Sequence, residues 1–263
     1  MFSLSKLRTG TAGWLAAAAL IAGLAVAAPL QAAPLSKADR EAIEAVIKDY
    51  LLQNPEVLRD ALMELEKRAN AEESGKRAAA LKTNQKLIFE SARGVVVGNP
   101  KGDITIVEFF DYNCGYCKRA LADMLDLIKA DPKLKFVLKE FPVLGPGSVD
   151  AAKVAIAVRM QDKDGAKYLA FHRALLGSRG EANRERALAV AKEAGADMAR
   201  LEKDLASAEI NATLEESVKL AEALGIGGTP SYVIANEIVP GAIGFNGLKN
   251  KLDAVRKCGR ATC

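Results

Sequence analysis

The run from Ile104 to Lys118, ITIVEFFDYNCGYCK, limits the folds open to this chain more than any other feature. Its first half is apolar, β-branched and aromatic, which predicts a buried strand. The strand ends at Asp111-Tyr112-Asn113. Cys114 and Cys117 then open a stretch whose apolar residues, Leu121, Met124, Leu125 and Ile128, recur at helical spacing. A Cys-x-x-Cys pair at such a strand-to-helix junction is a redox pattern.

Chemistry explains the spacing. A thiol at a helix N-terminus meets unpaired backbone N–H groups and the positive end of the helix dipole, and both favour thiolate over thiol. One turn later a second thiol lies close enough to close a disulfide. Cys114 is therefore read as the attacking, exposed sulfur and Cys117 as the shielded one that resolves mixed disulfides. Half of a zinc site and an inert structural disulfide are the competing readings, and the flanking strand and helix favour redox chemistry.

The compartment follows from the N-terminus. Lys6 and Arg8 precede an apolar run from Trp14 to Ala28, and the small-residue stretch Leu30-Gln31-Ala32 follows. That order predicts a secretory signal peptide over residues 1–32, cleaved after Ala32, and a periplasmic mature protein. A retained membrane anchor fits less well, because the apolar run is short for a span. Cleavage removes two positive charges from a chain of net charge +4, and nothing in the balance calls for nucleic acid. It also removes Trp14, the single tryptophan, so the mature protein is expected to lack indole fluorescence. Export places all four cysteines where disulfide chemistry is expected.

Residues 33–92 are charge-rich and helical in pattern. Ser36 with Asp39 resembles a capping box, and Ile43, Val46, Ile47, Tyr50 and Leu51 form an apolar stripe. Asn54-Pro55 restarts the chain, and Val57, Leu58, Ala61, Leu62 and Leu65 make a second stripe. A third, more polar helix is predicted at about 75–91. The segment either folds back onto the main domain or associates with copies of itself; the polar third helix favours a spacer between an oligomerisation end and a catalytic body.

Residues 93–263 form the main domain. A first short strand at Val95-Val96-Val97 precedes the 104–110 strand and the Cys-bearing helix, which Asp131-Pro132 stops; Leu134 to Phe141 is the next strand. This βαβ unit predicts a parallel, right-handed crossover. A helical region at about 148–224 follows, then strands at Ser231–Ala235 and Ile238-Val239 and a last helix at about 246–257. The predicted fold class is α/β: a thioredoxin-like fold with an inserted helical domain, preceded by an N-terminal helical oligomerisation segment.

With those residues in place, the chain resembles the DsbA family of exported thiol–disulfide oxidoreductases. It is most similar to the subgroup with an N-terminal helical extension, which includes copper-sensitivity-suppressor proteins that trimerise through it. The resemblance rests on Val107 to Cys117, Phe141-Pro142-Val143-Leu144-Gly145, Phe171 to Leu176, and Gly228-Thr229-Pro230. It implies that Thr229-Pro230 is the cis-proline loop beside the cysteines, where a substrate segment adds as a strand; sequence alone leaves the isomer open. Gly115 and Tyr116 join Thr229 and Pro230 in the implied substrate-binding set. It implies that Glu108, an acid in an otherwise apolar strand, takes the Cys117 proton, with Lys139 as candidate partner. Lys139 also reads as a solvated strand charge. His172, the lone histidine, is read as structural.

The most oxidising relatives carry a histidine in the intervening dipeptide, where this chain has Gly115-Tyr116. That dipeptide, with Thr229 before the proline, resembles exported disulfide isomerases and points to shuffling wrong disulfides over installing them. Cys258 and Cys263 are read as a small local disulfide, with an auxiliary redox pair, interchain links and a four-cysteine zinc site as alternatives. The expected function is therefore an exported protein disulfide isomerase without cofactor or metal, acting on thiol- or disulfide-bearing proteins. A membrane redox partner and a homo-oligomer, a trimer by resemblance, are implied. A DsbA-like oxidase and a copper(I)-binding partner protein are the alternatives.

Overall fold

The computed structural model describes residues 35–263; the expected leader, residues 1–32, lies outside the described residues. Ten helices and five strands follow one another among the described residues. They are α1 (Lys37–Gln53), α2 (Pro55–Thr83), α3 (Gln85–Phe89), β1 (Val95–Gly98), β2 (Ile104–Phe110), α4 (Gly115–Ala130), β3 (Leu134–Glu140), α5 (Pro146–Met160), α6 (Ala166–Gly177), α7 (Arg184–Glu193), α8 (Met198–Leu205), α9 (Ala208–Ala223), β4 (Ser231–Ile234), β5 (Glu237–Pro240) and α10 (Gly244–Cys258).

Local chemistry sets the first helices. The Ser36 side chain accepts from the Asp39 N–H and caps α1. Asn54 ends α1, and Pro55 starts α2 at a position where a missing N–H costs nothing. The polar stretch expected as a separate third helix is instead the second half of α2, which runs unbroken over 29 residues to Thr83, followed by the short α3. Glu72–Lys76 and Glu73–Arg77 pairs, both at 2.6 Å, support it across Gly75.

The division between the chain's two compact units falls after Glu64, inside α2. In the first unit no described residue is buried, and the predicted stripe residues Val46, Ile47, Leu58 and Leu62 are exposed. In the second unit, the sheet has the order β1-β3-β2-β4-β5. Strands β2 and β3 are parallel and the remaining pairs antiparallel. This is the thioredoxin-like arrangement, with α5 to α9 inserted between β3 and β4. Gly98 ends β1 at φ +80°, where an added Cβ would lie 2.7 Å from the Leu134 carbonyl oxygen.

Strand pleating divides the core into two faces. Ile106, Phe110, Phe136, Leu138, Tyr232 and Ile234 face α4, α10 and the inserted helices. On the other face Val107, Phe109, Val137 and Val233 pack with Leu81 of α2, Ile88 of α3, and Leu220 and Ala221 of α9. The extension is therefore not a spacer along its whole length: residues from Leu65 onward belong with the second unit, and Leu81 and Ile88 are part of its core.

Candidate active site

Strand β2 delivers its last residues to the N-terminus of α4, where Cys114 takes the N-cap position and Cys117 the first turn. Both thiols are free and both are buried, so the expected exposure of Cys114 is corrected: the loop before β4 packs against its sulfur. The Cys114 N–H donates to the Asp111 carbonyl at 3.1 Å, closing the turn. The Thr229–Pro230 bond is cis, and the Cys114 thiol donates to the Thr229 carbonyl oxygen at 3.2 Å. The Cys-bearing turn and the loop before β4 therefore meet at one atom pair. Cys117 is almost wholly buried, and burial pushes its thiol well above the usual range; a backbone hydrogen bond at Asp111 opposes this, and the charges of Glu108 and Cys114 add to it.

Glu108 lies on the face of β2 that carries α4, opposite Tyr232 of β4. Burial pushes its carboxyl up to about 8, and the nearby Asp123 charge adds to the rise. It is thus a carboxyl able to change protonation near neutrality, close enough for its charge to bear on Cys117.

Lys139 does not share that site. Register pairs Glu108 with Leu138 and Phe109 with Lys139, so the pleat turns Lys139 to the opposite face. The pairing with Glu108 is therefore corrected: the Lys139 ammonium lies 3.6 Å from Glu216 of α9. Burial pulls the ammonium down and Glu216 opposes this. Nor is Lys139 a solvated strand charge, because it is buried. Burial works against ionisation of Glu216, but hydrogen bonds from Ser91 and Arg93 and the Lys139 charge hold its carboxyl below the usual range. Lys139→Met is expected to cost about 1–3 kcal/mol of stability, read from the urea midpoint, while leaving the pH profile of thiol exchange unchanged.

Asp111, Asn113 and Ser148 hold the turn, and sequence reading assigned them no role. One Asp111 carboxylate oxygen accepts from the Val143 and Leu144 N–H groups at 2.8 and 3.0 Å; the other accepts from the Asn113 N–H and Ser148 hydroxyl, both at 2.7 Å. The Asn113 amide bridges to Ser148 and to both backbone groups of Ala182. A short acid and amide within a buried apolar run were the available signal, since such groups persist inside a fold only when fully bonded.

Gly115 sits in open space, and Tyr116 beside it is exposed under the Arg119 guanidinium, 4.4 Å from the ring centroid. Val143 and Leu144, fixed by Asp111, are also exposed. His172 packs edge-on against Phe110, and burial holds its imidazole down at about 3, so it stays neutral. Its Nδ1 lies 3.3 Å from the Tyr112 hydroxyl in a buried group with Tyr168 and Glu140. Cys258 and Cys263 are joined to each other, Cα–Cα 6.2 Å, around the end of α10.

A profile of the DSBA-like thioredoxin domain matches residues 105–253, and one of the Copper resistance protein ScsC N-terminal domain matches residues 39–72. A thioredoxin-like oxidoreductase from Silicibacter pomeroyi is 43% identical, with a TM-score of 0.63 over 66% of this chain and 99% of that one. The thiol-disulfide exchange protein alpha-DsbA2 from Wolbachia pipientis is 31% identical, with a TM-score of 0.64 over 69% and 97%. Proteus mirabilis ScsC in a transitional conformation is 27% identical, with a TM-score of 0.59 over 82% and 94%. Among curated proteins, Na(+)/H(+) antiporter NhaA 1 of Salinispora arenicola matches at 26% identity over 144 residues, 54% of this chain but 22% of that protein. The chain belongs to the DsbA-like thioredoxin family, as a thiol–disulfide oxidoreductase of the DsbA/ScsC type.

Proposed function

We propose that the protein is an exported, periplasmic disulfide isomerase that acts on other proteins. The observation that carries this reading is the convergence of the Cys114 thiol at the α4 N-terminus with the Thr229 carbonyl of the cis-proline loop. Cys114 thiolate attacks one sulfur of a client disulfide; a mixed disulfide forms and the client's other sulfur leaves as thiolate. In isomerisation a different client thiolate, present already or freed by exchange within the client, attacks the client sulfur of the mixed disulfide; a new client disulfide forms and Cys114 leaves as thiolate. In reduction Cys117 attacks Cys114, Glu108 takes the Cys117 proton, and the client leaves reduced while Cys114 and Cys117 pair. Reduction then requires a thiol donor, for which a membrane redox partner is proposed.

Thr229 and Pro230 hold the client backbone as an added strand, while Gly115 leaves room and Tyr116 offers an apolar surface. The Gly-Tyr dipeptide favours isomerisation over oxidation. Reactivation of a scrambled disulfide-bonded client, together with the redox state of the pair in the intact cell, tests the reading. A pair held oxidised, without reactivation, makes the protein an oxidase.

The exposed apolar stripes of α1 and early α2 support self-association, with the trimer implied by resemblance. Joining several sites on one assembly raises their effective concentration on a client. Light scattering is expected to show an oligomer for residues 33–263 and a monomer once residues 33–64 are removed; equal masses would refute the association. The deletion stops at 64 because Leu81 and Ile88 belong to the core.

A further inference from the structure

We infer that Arg77, on the part of α2 that belongs to the second unit, selects clients carrying a carboxylate side chain next to the reacting cysteine. The inference rests on the exchange reading above and adds the client's chemistry to it. A cavity of about 200 Å³ adjoins the cis-proline loop. Gly227 to Pro230 line it together with the apolar Ile226 and Ile238, and Arg77 is the charged residue of its lining. The Arg77 Nε lies 3.9 Å from where a Cβ on Gly225 would be.

Position makes this cavity relevant to the client. Thr229 both lines it and accepts the Cys114 thiol at 3.2 Å, so a client sulfur meeting Cys114 lies beside the same residue. In a strand added at Thr229, side chains alternate between the two sides. A residue one or two positions from the client cysteine therefore reaches the cavity, which has room for one side chain. Apolar walls suit an aliphatic stem and the guanidinium suits an anionic end, a combination that glutamate offers.

Arg77 is free to exchange partners. Its contact is Glu73 at 2.6 Å, one turn away, and the two side chains are 47% and 58% exposed. An exposed pair of that kind contributes little, so a client carboxylate can replace Glu73 at small cost.

The test uses the mature full chain and fluorogenic peptide disulfides bearing Glu, Gln or Lys one or two residues from the cysteine. At one of these positions Glu is expected to give a kcat/KM about threefold above Gln, with Lys below Gln, and the difference lies in KM while kcat stays constant. Arg77→Lys retains the preference, Arg77→Ala abolishes it and Arg77→Glu inverts it towards Lys. Equal reaction of the three peptides with the unaltered protein, or a preference that survives Arg77→Ala, overturns the role of Arg77 alone. Failure of every peptide to react overturns the exchange reading and, with it, this one.

Discussion

Cys117→Ser is expected to accumulate mixed disulfides with client proteins, visible on non-reducing gels and cleared by dithiothreitol, while Cys114→Ala forms none. The asymmetry follows from where each sulfur sits. Cys114 is buried too, at 5% exposure against 1% for Cys117. It caps α4 and meets the Thr229 carbonyl of the loop where a client strand is proposed to add, so it is the sulfur proposed to meet a client first. Cys117 is buried, and its thiol is held well above the usual range, so it attacks only a neighbour already presented to it. Cys114→Ala therefore lowers exchange to the uncatalysed level. Cys117→Ser lowers reduction equally but leaves part of the isomerisation, which needs only the first sulfur. If Cys114→Ala were to trap clients and Cys117→Ser were not, the assignment of attacker and resolver would be reversed.

Glu108→Gln is expected to make the protein slower and more stable at the same time. Loss of a general acid–base group costs about 10²-fold or more in the step it serves, here resolution by Cys117, read from single-turnover decay of the mixed disulfide. In the unaltered protein that decay speeds up as pH rises through about 8, where the Glu108 carboxyl ionises; the Gln variant lacks this rise. Stability moves the other way. The carboxyl binds its proton more tightly in the fold, at about 8, than in the unfolded chain, at 4.5. Its burden on the fold is therefore absent below about 4.5, grows as pH rises and is complete above about 8. The Gln variant escapes it, so its advantage in urea midpoint appears between those limits and reaches the order of a few kcal/mol. A buried functional acid that costs stability is the usual compromise at active sites. An advantage independent of pH would separate the effect from Glu108 ionisation.

Much of the fold was legible because its signals are local. Ser36, Asn54-Pro55, Asp131-Pro132 and the period-2 and helical stripes each declare an element from within a few residues. The order of elements, with a helical block between β3 and β4, then leaves few topologies for a parallel βαβ unit. Even here one boundary slipped. The polar middle of α2 reads as a break, yet i,i+4 ion pairs carry the helix through it.

The sequence by itself determined that a strand runs into a helix opened by Cys114 and Cys117, and that an acid lies six residues before the first sulfur. Those are properties of neighbours along the chain, governed by backbone geometry and helix-end electrostatics. Only the tertiary structure decided which charges meet. Sheet register sent Lys139 to Glu216 and away from Glu108, Asp111 found its four donors partly in a loop beyond β3, and α2 brought Arg77 to the cis-proline loop. Such pairings depend on which face of one element is turned to another, and in a pleated sheet a shift of one residue reverses that face.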